Sequence, residues 1–435
     1  MNSIHRSLSH FFLVSILMMS VSPSPARAAI ESGTIIVVDT FDDDLEDGLH
    51  CSLREAIRAA NTDSVVDACP AGNGGDTVLL QEGTYTLSIV GSGENAALTG
   101  DLDILADVVI RSLGSTDLTV ISALWNNCGI NDCDRIFHVA TYATVEFQSL
   151  TIQNGFAQAG PLGGGGIAIQ NGKLTLRQVH LQGNRSEGVG GGMDNAGAEV
   201  VLFDSSFSGN EAKDGGGIFN SGSLSAYSST LYGNTATIDP GGALDNRGTA
   251  SLVNVTISGN SAIGGGIVSV GGGGIFSDGT LTLLNSSVVA NSASDPLQGQ
   301  NIASAYEIRF INTLVVNTHS GLNCSGDLKS LGNNLDSEDT CNFDQSTDLK
   351  NEGDQILEPL ADNGGSTLTH ALRDGSPAID AGSDFNCTVK DQRGAFRPAD
   401  GNGNGIANCD IGAYEYAGTF LTPVYLPVVV RKRDG

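Results

Sequence analysis

The chain has 435 residues, of which 58 are glycine and 11 are proline. Glycine without a strict three-residue period excludes collagen, and a hydrophobic fraction of 40% argues against a chain that is disordered throughout. A formal net charge of −28 argues against nucleic acid and anionic membranes as partners.

Residues 1–28 are typical of a secretory signal peptide. His5 and Arg6 precede the apolar run FFLVSILMMSV, and ARA at 26–28 is a small-x-small cleavage site. The apolar run is too short to remain as a membrane span. We therefore expect a mature chain that starts at Ala29 and is secreted or displayed on a bacterial surface.

Export makes disulfides the expected state of the eight cysteines. They form sequence-local couples, namely Cys51 with Cys69, Cys128 with Cys133, Cys324 with Cys341, and Cys387 with Cys409. Neither a CxxC pair nor a nearby histidine cluster points to zinc at these cysteines.

The segment CSLREAIRAAN, at 51–61, predicts a short amphipathic helix. Ser52 and Glu55 have the spacing of a capping box. The apolar residues recur at helical spacing and are Leu53, Ala56, Ile57 and Ala60. We expect this helix to lie across the open first coil of a solenoid, held by Cys51 and Cys69. Arg54, Glu55 and Arg58 could be imagined as catalytic, but an exposed ion-pair face is the favoured interpretation.

A repeat follows, and it predicts the fold. Segments such as LTLRQVHLQGN and LSAYSSTLYGN end on an asparagine and alternate with glycine clusters such as GGGIFNSG. The asparagines are Asn184, Asn210, Asn234, Asn260 and Asn291, at steps of 26, 24, 26 and 31 residues. A period near 25 residues indicates a solenoid. Because the glycine clusters recur, they are not a single phosphate-binding loop.

Apolar positions before each asparagine recur with gaps of 2, 3 and 2, as in Leu174, Leu176, Val179 and Leu181. A gap of 2 is strand alternation, and the gap of 3 indicates a bend between two strands. The sequence therefore predicts an all-β, right-handed, single-stranded parallel β-helix of the pectin-lyase-like type. We expect the asparagines to stack amide to amide and to accept a left-handed corner, with the glycines at the other corner.

Three segments resemble known bacterial families. GGAL at 241–244 and FSGN at 207–210 resemble the repeats of polymorphic outer-membrane proteins, over about residues 140–295. CSLREAIRAAN resembles the CSLREA domain. LADNGGSTLTHALRDGSPAIDAG, with DQRGAFRP and CDIGAYE, resembles the choice-of-anchor Q region over about 318–417. These resemblances imply a secreted surface β-helix, and the families have mostly unassigned roles.

The predicted organisation follows from these segments. It comprises a signal peptide (1–28), an N-terminal cap with the first coils (29–100), β-helix repeats (101–317), a choice-of-anchor-Q-like region (318–417) and a tail (418–435). The tail has too few apolar residues to span a bilayer and no LPxTG sorting motif, and an edge strand is its plainest interpretation.

The segment DGNGNGIANCD, at 400–410, is a candidate calcium loop. Its oxygen-bearing side chains alternate, and the ligands would be Asp400, Asn402, Asn404 and Asp410 with the Ile406 carbonyl. Ile411 stands where an EF-hand loop needs a carboxylate. A glycine-rich turn is the alternative. No cofactor is required by the predicted fold, and calcium is the candidate ion.

Two other groups of charged residues are candidates for catalysis. Asp214 and Asp239 are one coil apart, with Glu187 and Asp295 at similar places, so they could form a glycosidase pair; solvated surface acids are the favoured alternative. The second group is expected to hold a cap together by ion pairs rather than to clamp an acidic sugar, and comprises Asp380, Asp391, Arg393, Arg397, Asp410 and Glu415. His370, in LTHAL, is expected to be a packed histidine.

No catalytic set can be assembled from the sequence. The favoured prediction is a non-catalytic, monomeric scaffold, adhesive or glycan-binding, whose partners would be extracellular glycans or surface proteins. The alternative is a polysaccharide lyase or glycoside hydrolase acting on acidic polysaccharide. A flat flank would favour the scaffold, and a cleft with converging acids would favour the enzyme.

Overall fold

The computed structural model describes residues 33–45, 48–123, 133–140, 142–264 and 271–420. The predicted signal peptide, Cys128 and most of the predicted tail lie outside these residues. Among the described residues, none of the helices combines the length and apolar character needed to cross a bilayer.

Most strands belong to parallel sheets in which each strand pairs with its equivalent one coil away. The main sheet contributes up to two strands to each coil, as where Glu199–Phe203 pairs with Ser223–Tyr227 and Ser206–Ser208 with Thr230–Tyr232. Its strands are Ile35–Val37, Asp76–Leu80, Gly83–Leu87, Val108–Ser112, Thr119–Ala123, Thr144–Gln153, Lys173–Gln182, Glu199–Phe203, Ser206–Ser208, Ser223–Tyr227, Thr230–Tyr232, Thr249–Val253, Thr256–Ser258, Thr280–Leu284, Ser287–Val289, Ile308–Ile311, Leu314–Val316, Leu328–Ser330, Leu335–Asp336 and Leu349–Lys350.

Two further parallel sheets close each coil. The second sheet comprises Leu102–Ile104, Phe137–Val139, Ile167–Ile169, Met193–Asn195, Ile218–Asn220, Leu244–Asn246, Ile275–Ser277, Ile302–Ser304 and Cys324–Ser325. The third sheet comprises Phe156–Ala157, Arg185–Ser186, Glu211–Ala212, Thr235–Ala236, Ser261–Ala262 and Ser292–Ala293. An antiparallel pair, Leu357–Ala361 with Thr369–Leu372, follows. The all-β parallel β-helix predicted from the repeat is confirmed.

The inward positions predicted from the gaps of 2, 3 and 2 form the core. Leu174, Leu176, Val179 and Leu181 are each 0% exposed, and the equivalent residues of the following coils are buried too. Each buried aliphatic side chain stabilises the fold by about 1.5–3 kcal/mol. The bend between the strands is made by left-handed residues, among them Gln178 (φ 51°) and Asp204 (φ 51°).

The predicted asparagine stack is present in the core. The side-chain amide of Asn210 donates to the Oδ1 of Asn234 at 2.9 Å, and that of Asn234 donates to Asn260 at 2.9 Å. The same Oδ1 atom of Asn234 also accepts the backbone N–H of Asn210 at 3.0 Å. Through Asn291 the stack continues to Asn301 at 2.8 Å, which the repeat did not indicate.

The expectation that these asparagines would themselves be left-handed is wrong. The left-handed residue is the one before each asparagine, as in Gly209 (φ 60°) and Gly233 (φ 63°). The glycine clusters do make the other corner. Gly215 has φ of 59°, and a Cβ on Gly216 would lie 2.4 Å from the Thr235 backbone of the next coil.

The N-terminal helix spans Leu53–Thr62 and begins with the predicted capping box. Leu53, Ala56 and Ile57 are buried and belong to the same core as Ile36 and Val78 of the first coils. The helix therefore extends the core at this end of the chain. The structure joins Cys51 to Cys69 beside it, and also Cys324 to Cys341 and Cys387 to Cys409, as the spacing predicted. The pairing of Cys128 with Cys133 stays a prediction.

The expected exposed ion-pair face of this helix is wrong for two of its residues. Arg54 is 0% exposed, and its Nε lies 2.6 Å from the Oδ1 of Asp43, while its Nη2 donates to the Gly100 carbonyl at 2.8 Å. Glu55 is also 0% exposed because its carboxylate closes the capping box on the Ser52 N–H. Arg58 is half-exposed. Arg54 thus binds the helix to the segment that precedes the second sheet.

Replacing Asn234 with alanine tests the importance of the stack. The change leaves the N–H groups of Asn210 and the Phe207 carbonyl without their partners in a dry interior. We expect a loss of about 3 kcal/mol in the free energy of unfolding, measured by urea titration. Asn95→Ala, at an exposed position, is the control and should change it by less than about 0.5 kcal/mol. Equal effects in the two variants would contradict a structural role for the stack.

Candidate functional site

The second strand of each coil in the main sheet presents two outward columns rich in hydroxyl groups, here named the hydroxyl face. The first column is Thr151, His180, Ser206, Thr230, Thr256 and Ser287. The second column is Gln153, Gln182, Ser208, Tyr232, Ser258 and Val289. Since these side chains repeat every coil, the face offers a regular array of hydrogen-bonding groups.

The C-terminal segment 362–420, here named the strap, covers much of this face. The Thr230 hydroxyl donates to the Leu368 carbonyl at 2.6 Å, and the Thr256 hydroxyl donates to the Gln392 side chain at 2.6 Å. The Ala413 N–H donates to the Ser287 hydroxyl at 3.0 Å. The strap thus runs along the side of the β-helix.

Left-handed asparagines at the bend also hold the strap. The side-chain amides of Asn254, Asn285 and Asn312 donate to the backbone carbonyls of Lys390, Asn386 and Ser383 at 2.9, 3.1 and 3.1 Å. Asn333 donates to the Ala381 carbonyl at 2.8 Å. At two other bends the strap bonds differently: the side-chain amide of Gln178 donates to the Ser366 hydroxyl at 3.5 Å, and the Thr367 hydroxyl donates to the Ser228 carbonyl at 3.0 Å. The bends of several coils therefore attach the strap.

The arginine–carboxylate group of the C-terminal region lies inside the strap. Arg393 donates to the Oδ2 of Asp391 at 2.8 and 2.7 Å, and its guanidinium lies 3.5 Å from the centre of the Tyr414 ring. The Arg397 side chain is fully buried, with its Nε 3.3 Å from the Oε2 of Glu415. These ion pairs are structural, as expected, but they fasten a lateral strap rather than a cap over the last coil. Carbohydrate carboxylates have no access to them.

His370 is the packed histidine that the sequence predicted. It is 7% exposed, its Nδ1 lies 2.7 Å from the Glu358 carbonyl, and its Nε2 lies 2.9 Å from the Ser258 hydroxyl. Burial lowers the pKa of His370, so the neutral imidazole bonds both groups.

A cleft of about 370 Å3 opens where the strap ends on the hydroxyl face. Its floor is formed by His180, Gln182, Ser206, Ser208 and Tyr232. One wall is the strap, from Asp362 to Leu368, and the other carries Asp117 from the short 3-10 helix Thr116–Leu118. Both walls are attached to the floor, because Thr116 donates to the Gln178 carbonyl at 3.0 Å and Thr367 donates to the Ser228 carbonyl at 3.0 Å.

The floor of the cleft is uncharged at neutral pH. Burial lowers the pKa of His180, and Asp117, with its Oδ1 3.4 Å from the Nδ1 of His180, opposes this only in part. The carboxylates of Asp117 and Asp362 lie at the rim, where both residues are exposed. The cleft therefore combines a neutral, hydrogen-bonding floor and one phenol ring with a negative rim.

Asp214, one of the two candidates for a glycosidase pair, is not a carboxylate that faces solvent. Asp214 is 6% exposed, and its Oδ2 lies 2.8 Å from the Nη2 of Arg247, which also lies 2.8 Å from the Oδ2 of Asp245. Burial and then the neighbouring Asp245 raise the pKa of Asp214 to about 9, with a smaller contribution from Asp239. The favoured interpretation of two solvated surface acids is wrong for Asp214, whose carboxyl group is buried next to Asp245, whereas Asp239 is exposed. A catalytic role for the pair stays a hypothesis.

Glu187 and Asp295, at similar places in other coils, bond to local backbone. Glu187 accepts the Ala159 N–H at 3.1 Å, and Asp295 accepts the Leu297 N–H at 2.9 Å. Neither is brought to Asp214 by these contacts.

The predicted calcium loop is organised by hydrogen bonds of its own. Asp400 accepts the Gly405 N–H at 2.8 Å, and Asn404 accepts the Ile406 N–H at 2.8 Å. Asp410 is 0% exposed and accepts the Asp380 N–H at 2.7 Å. Burial, followed by Glu415, raises the pKa of Asp410 to about 8. Asn402 accepts the Asn404 N–H at 3.0 Å, so these oxygens serve a glycine-rich turn. Calcium binding here stays a prediction.

The chain is similar in structure to a known protein, although its sequence matches none of the families compared. No family model matches the chain, and no curated protein matches it. The crystal structure of pectate lyase Pel9A is similar, with a TM-score of 0.44 and 14% sequence identity over 88% of this chain and 96% of that chain. The resemblances to the CSLREA, choice-of-anchor Q and outer-membrane repeat families stay predictions.

Sequence reasoning missed the hydroxyl face and the cleft. The repeat contained a usable signal. In most coils, the residues equivalent to Ser206 and Ser208 carry a hydroxyl or an amide group. The strap had no such signal, since contacts such as Thr230 with Leu368 and Thr256 with Gln392 join residues more than 100 positions apart.

Gln392→Ala tests whether polar contacts hold the strap. The Gln392 side chain is 2% exposed and bonds to Thr230, Thr256, Thr367 and the Leu368 carbonyl at 2.6–3.0 Å. We expect amide exchange in 366–370 to become about tenfold faster while the inner strands stay protected. Gln355→Ala, at an exposed position, is the control. Unchanged exchange in Gln392→Ala would contradict this role.

Asp214→Asn tests the buried carboxyl pair through pH. The pKa of Asp214 is raised from 3.8 to about 9 in the folded chain, so the folded state binds more protons than the unfolded state between these values. Stability therefore falls as pH rises through this window. We expect the melting temperature to fall less steeply between pH 5 and 9 in Asp214→Asn than in the wild type. Asp374→Asn, at an exposed position, is the control and should keep the wild-type slope. A wild-type slope in Asp214→Asn would mean that the Asp214 carboxyl is ionised over this whole pH range and would contradict the prediction.

Proposed function

We propose that this chain is a secreted or cell-surface β-helix scaffold that binds neutral glycans, without catalysis, in the cleft between the strap and the hydroxyl face. The observation that carries the proposal is the lining of the cleft, in which Tyr232 follows Ser208 and Gln182 in one column, with Ser206 beside them, on a floor fixed by strand pairing. Hydroxyl and amide groups at fixed spacing suit the hydroxyl groups of a sugar, and a phenol ring suits its apolar face.

The volume and rigidity of the cleft support binding. A volume of about 370 Å3 lies within the roughly 300–1,000 Å3 of small-molecule sites. Because the floor belongs to a paired sheet and both walls are bonded to it, little ordering is needed when a ligand enters.

The charge of the chain supports a neutral ligand. The chain has a net charge of −28, and Asp117 and Asp362 stand at the rim of the cleft. Both repel uronate-containing polymers, and His180 adds no positive charge to the floor because burial lowers its pKa. Neutral glycans meet no such barrier.

Tyr232→Ala tests the proposal on a glycan array and by titration calorimetry of the mature chain. We expect the wild type to bind neutral glycans in preference to uronate polymers, and Tyr232→Ala to bind about tenfold more weakly, since about 1.4 kcal/mol of ring contact is lost. Tyr227→Ala is the matched control, because Tyr227 stacks on Phe203 at 5.2 Å elsewhere on the main sheet. Absence of neutral-glycan binding, or equal affinity in Tyr232→Ala, would contradict the proposal.

Glycoside hydrolysis is a second candidate, because two exposed carboxylates line the same cleft. Asp117 and Asp362 stand on opposite walls, and glycosidases use a pair of carboxyl groups on either side of the bond they cleave. Chromatography of the bound glycans after incubation distinguishes the two functions. The non-catalytic proposal expects intact glycan; a product that disappears in both Asp117→Asn and Asp362→Asn would establish hydrolysis instead.

A further inference from the structure

The cleft on the hydroxyl face is closed toward the C-terminal end of the β-helix. In the coil that follows Tyr232, both outward side chains of the second strand are bonded to the strap. The Thr256 hydroxyl donates to the Gln392 side chain at 2.6 Å, and the Ser258 hydroxyl oxygen lies 2.9 Å from the Nε2 of His370. Thr256 is 0% exposed and Ser258 is 5% exposed. A chain that lies on the cleft floor therefore stops at Tyr232 in this direction.

The strap also closes the cleft along the bend between the two strands of each coil. The side-chain amide of Gln178 donates to the Ser366 hydroxyl at 3.5 Å, and the Thr367 hydroxyl donates to the Ser228 carbonyl at 3.0 Å. Gln178 and Ser228 are bend residues that lie two coils apart. The strap thus borders all three coils that form the cleft floor.

The cleft is open toward the N-terminal coils along the second column of the hydroxyl face. In the first column, the Thr151 hydroxyl donates to the Thr116 carbonyl at 3.1 Å, and Thr151 is 6% exposed, so the 3-10 helix closes that column. In the second column, Gln182 is exposed and Gln153 is half-buried. The corner glycine that follows Gln182, Gly183, is exposed as well. A bound chain can therefore leave the cleft over Gln182, but not past the strap.

We infer, on the basis of the proposed function, that the cleft recognises the end of a neutral glycan chain, with the terminal sugar beside Tyr232 and the rest of the chain leaving over Gln182. An internal segment of a chain needs an exit at both ends of its site, whereas this cleft has an exit at one end. Along this path the second column places polar side chains at successive coils, about 4.8 Å apart, namely Tyr232, Ser208, Gln182 and Gln153. The departing chain therefore meets a new hydrogen-bonding group at each coil.

A chain end also carries a group that the strap can bind. A terminal sugar has a free hydroxyl at the position through which an internal sugar is linked to its neighbour. Ser366 lines the closed side of the cleft, and its hydroxyl, which accepts the Gln178 N–H, keeps its own proton to donate. A bond from this proton to the terminal hydroxyl would let the strap distinguish a chain end from an internal sugar.

The number of protein molecules bound per glycan chain tests end recognition. The probes are linear neutral glucan, mannan and galactan fractions, each in short chains that span the cleft and in chains several times longer, titrated against the mature wild-type protein by calorimetry. We expect one protein per chain at both lengths, with the same dissociation constant per chain, because additional internal sugars add no site. A number that rises with chain length would overturn the inference but not the proposed function, since it would show binding to internal segments. Failure of all these neutral glycans to bind would refute the proposed function, and the inference with it.

Gln153→Ala tests the path by which the chain leaves the cleft. We expect this variant to bind the longer chains about fivefold more weakly, because one hydrogen bond to the departing chain is lost. Gln148→Ala is the matched control, since Gln148 lies in the same strand before the bend and its amide donates to Glu146 at 2.7 Å. Disaccharides, which end inside the cleft, should bind the wild type and both variants equally, which also checks that the variants are folded. Equal affinity of Gln153→Ala and the wild type for the longer chains would overturn the assigned path.

Discussion

The structure depends on keeping the coils in register, and the buried asparagine stack is what enforces it. At each corner the chain turns inward and leaves backbone N–H groups in a dry core, where an unpaired donor is costly. The Oδ1 of Asn234 accepts both the backbone and the side-chain N–H of Asn210, and the Oδ1 of Asn260 accepts the same two groups of Asn234. A slip of one residue would break both bonds and would turn every inward side chain outward.

Register has a consequence for the surface as well as for the core. Because equivalent residues align, Ser206, Thr230 and Thr256 form one outward column instead of a scatter of hydroxyl groups. The strap bonds to the hydroxyl groups of Thr230 and Thr256 in this column, much as a polar ligand would. The cleft is the part of the same face that the strap leaves open, so its hydrogen-bonding groups are of the same kind as those that the strap bonds.

The sequence predicted the features that recur in every coil and missed the contacts that occur only once. Gaps of 2, 3 and 2 identified the inward positions correctly, because strand alternation is a local property that each coil restates. The same regularity predicted the partners of Asn210 and Asn234. The strap could not be predicted, since Gln392 and Thr230 are 162 positions apart and no sequence pattern in either segment indicates that they are in contact. Arg54 was expected at the surface because helical spacing describes one element, whereas its burial depends on the segment around Gly100 that folds over it.

Two surfaces of the β-helix differ in whether their carboxyl groups are buried or exposed, and this difference bears on the proposed function. Beside the second sheet, the carboxyl group of Asp214 is buried next to Asp245 of the strand Leu244–Asn246, and burial raises the pKa of Asp214 to about 9. A carboxyl group that is held by an arginine and by a second carboxyl is poorly placed to meet a polymer from solution. On the hydroxyl face the acids are at the rim and the floor is neutral. Selectivity in such a cleft depends on both parts. The hydrogen-bonding groups of the floor discriminate between ligands by geometry, and the exposed carboxylates of the rim discriminate by charge. Under the proposed function, specificity for uncharged sugars would therefore need no positively charged group in the cleft.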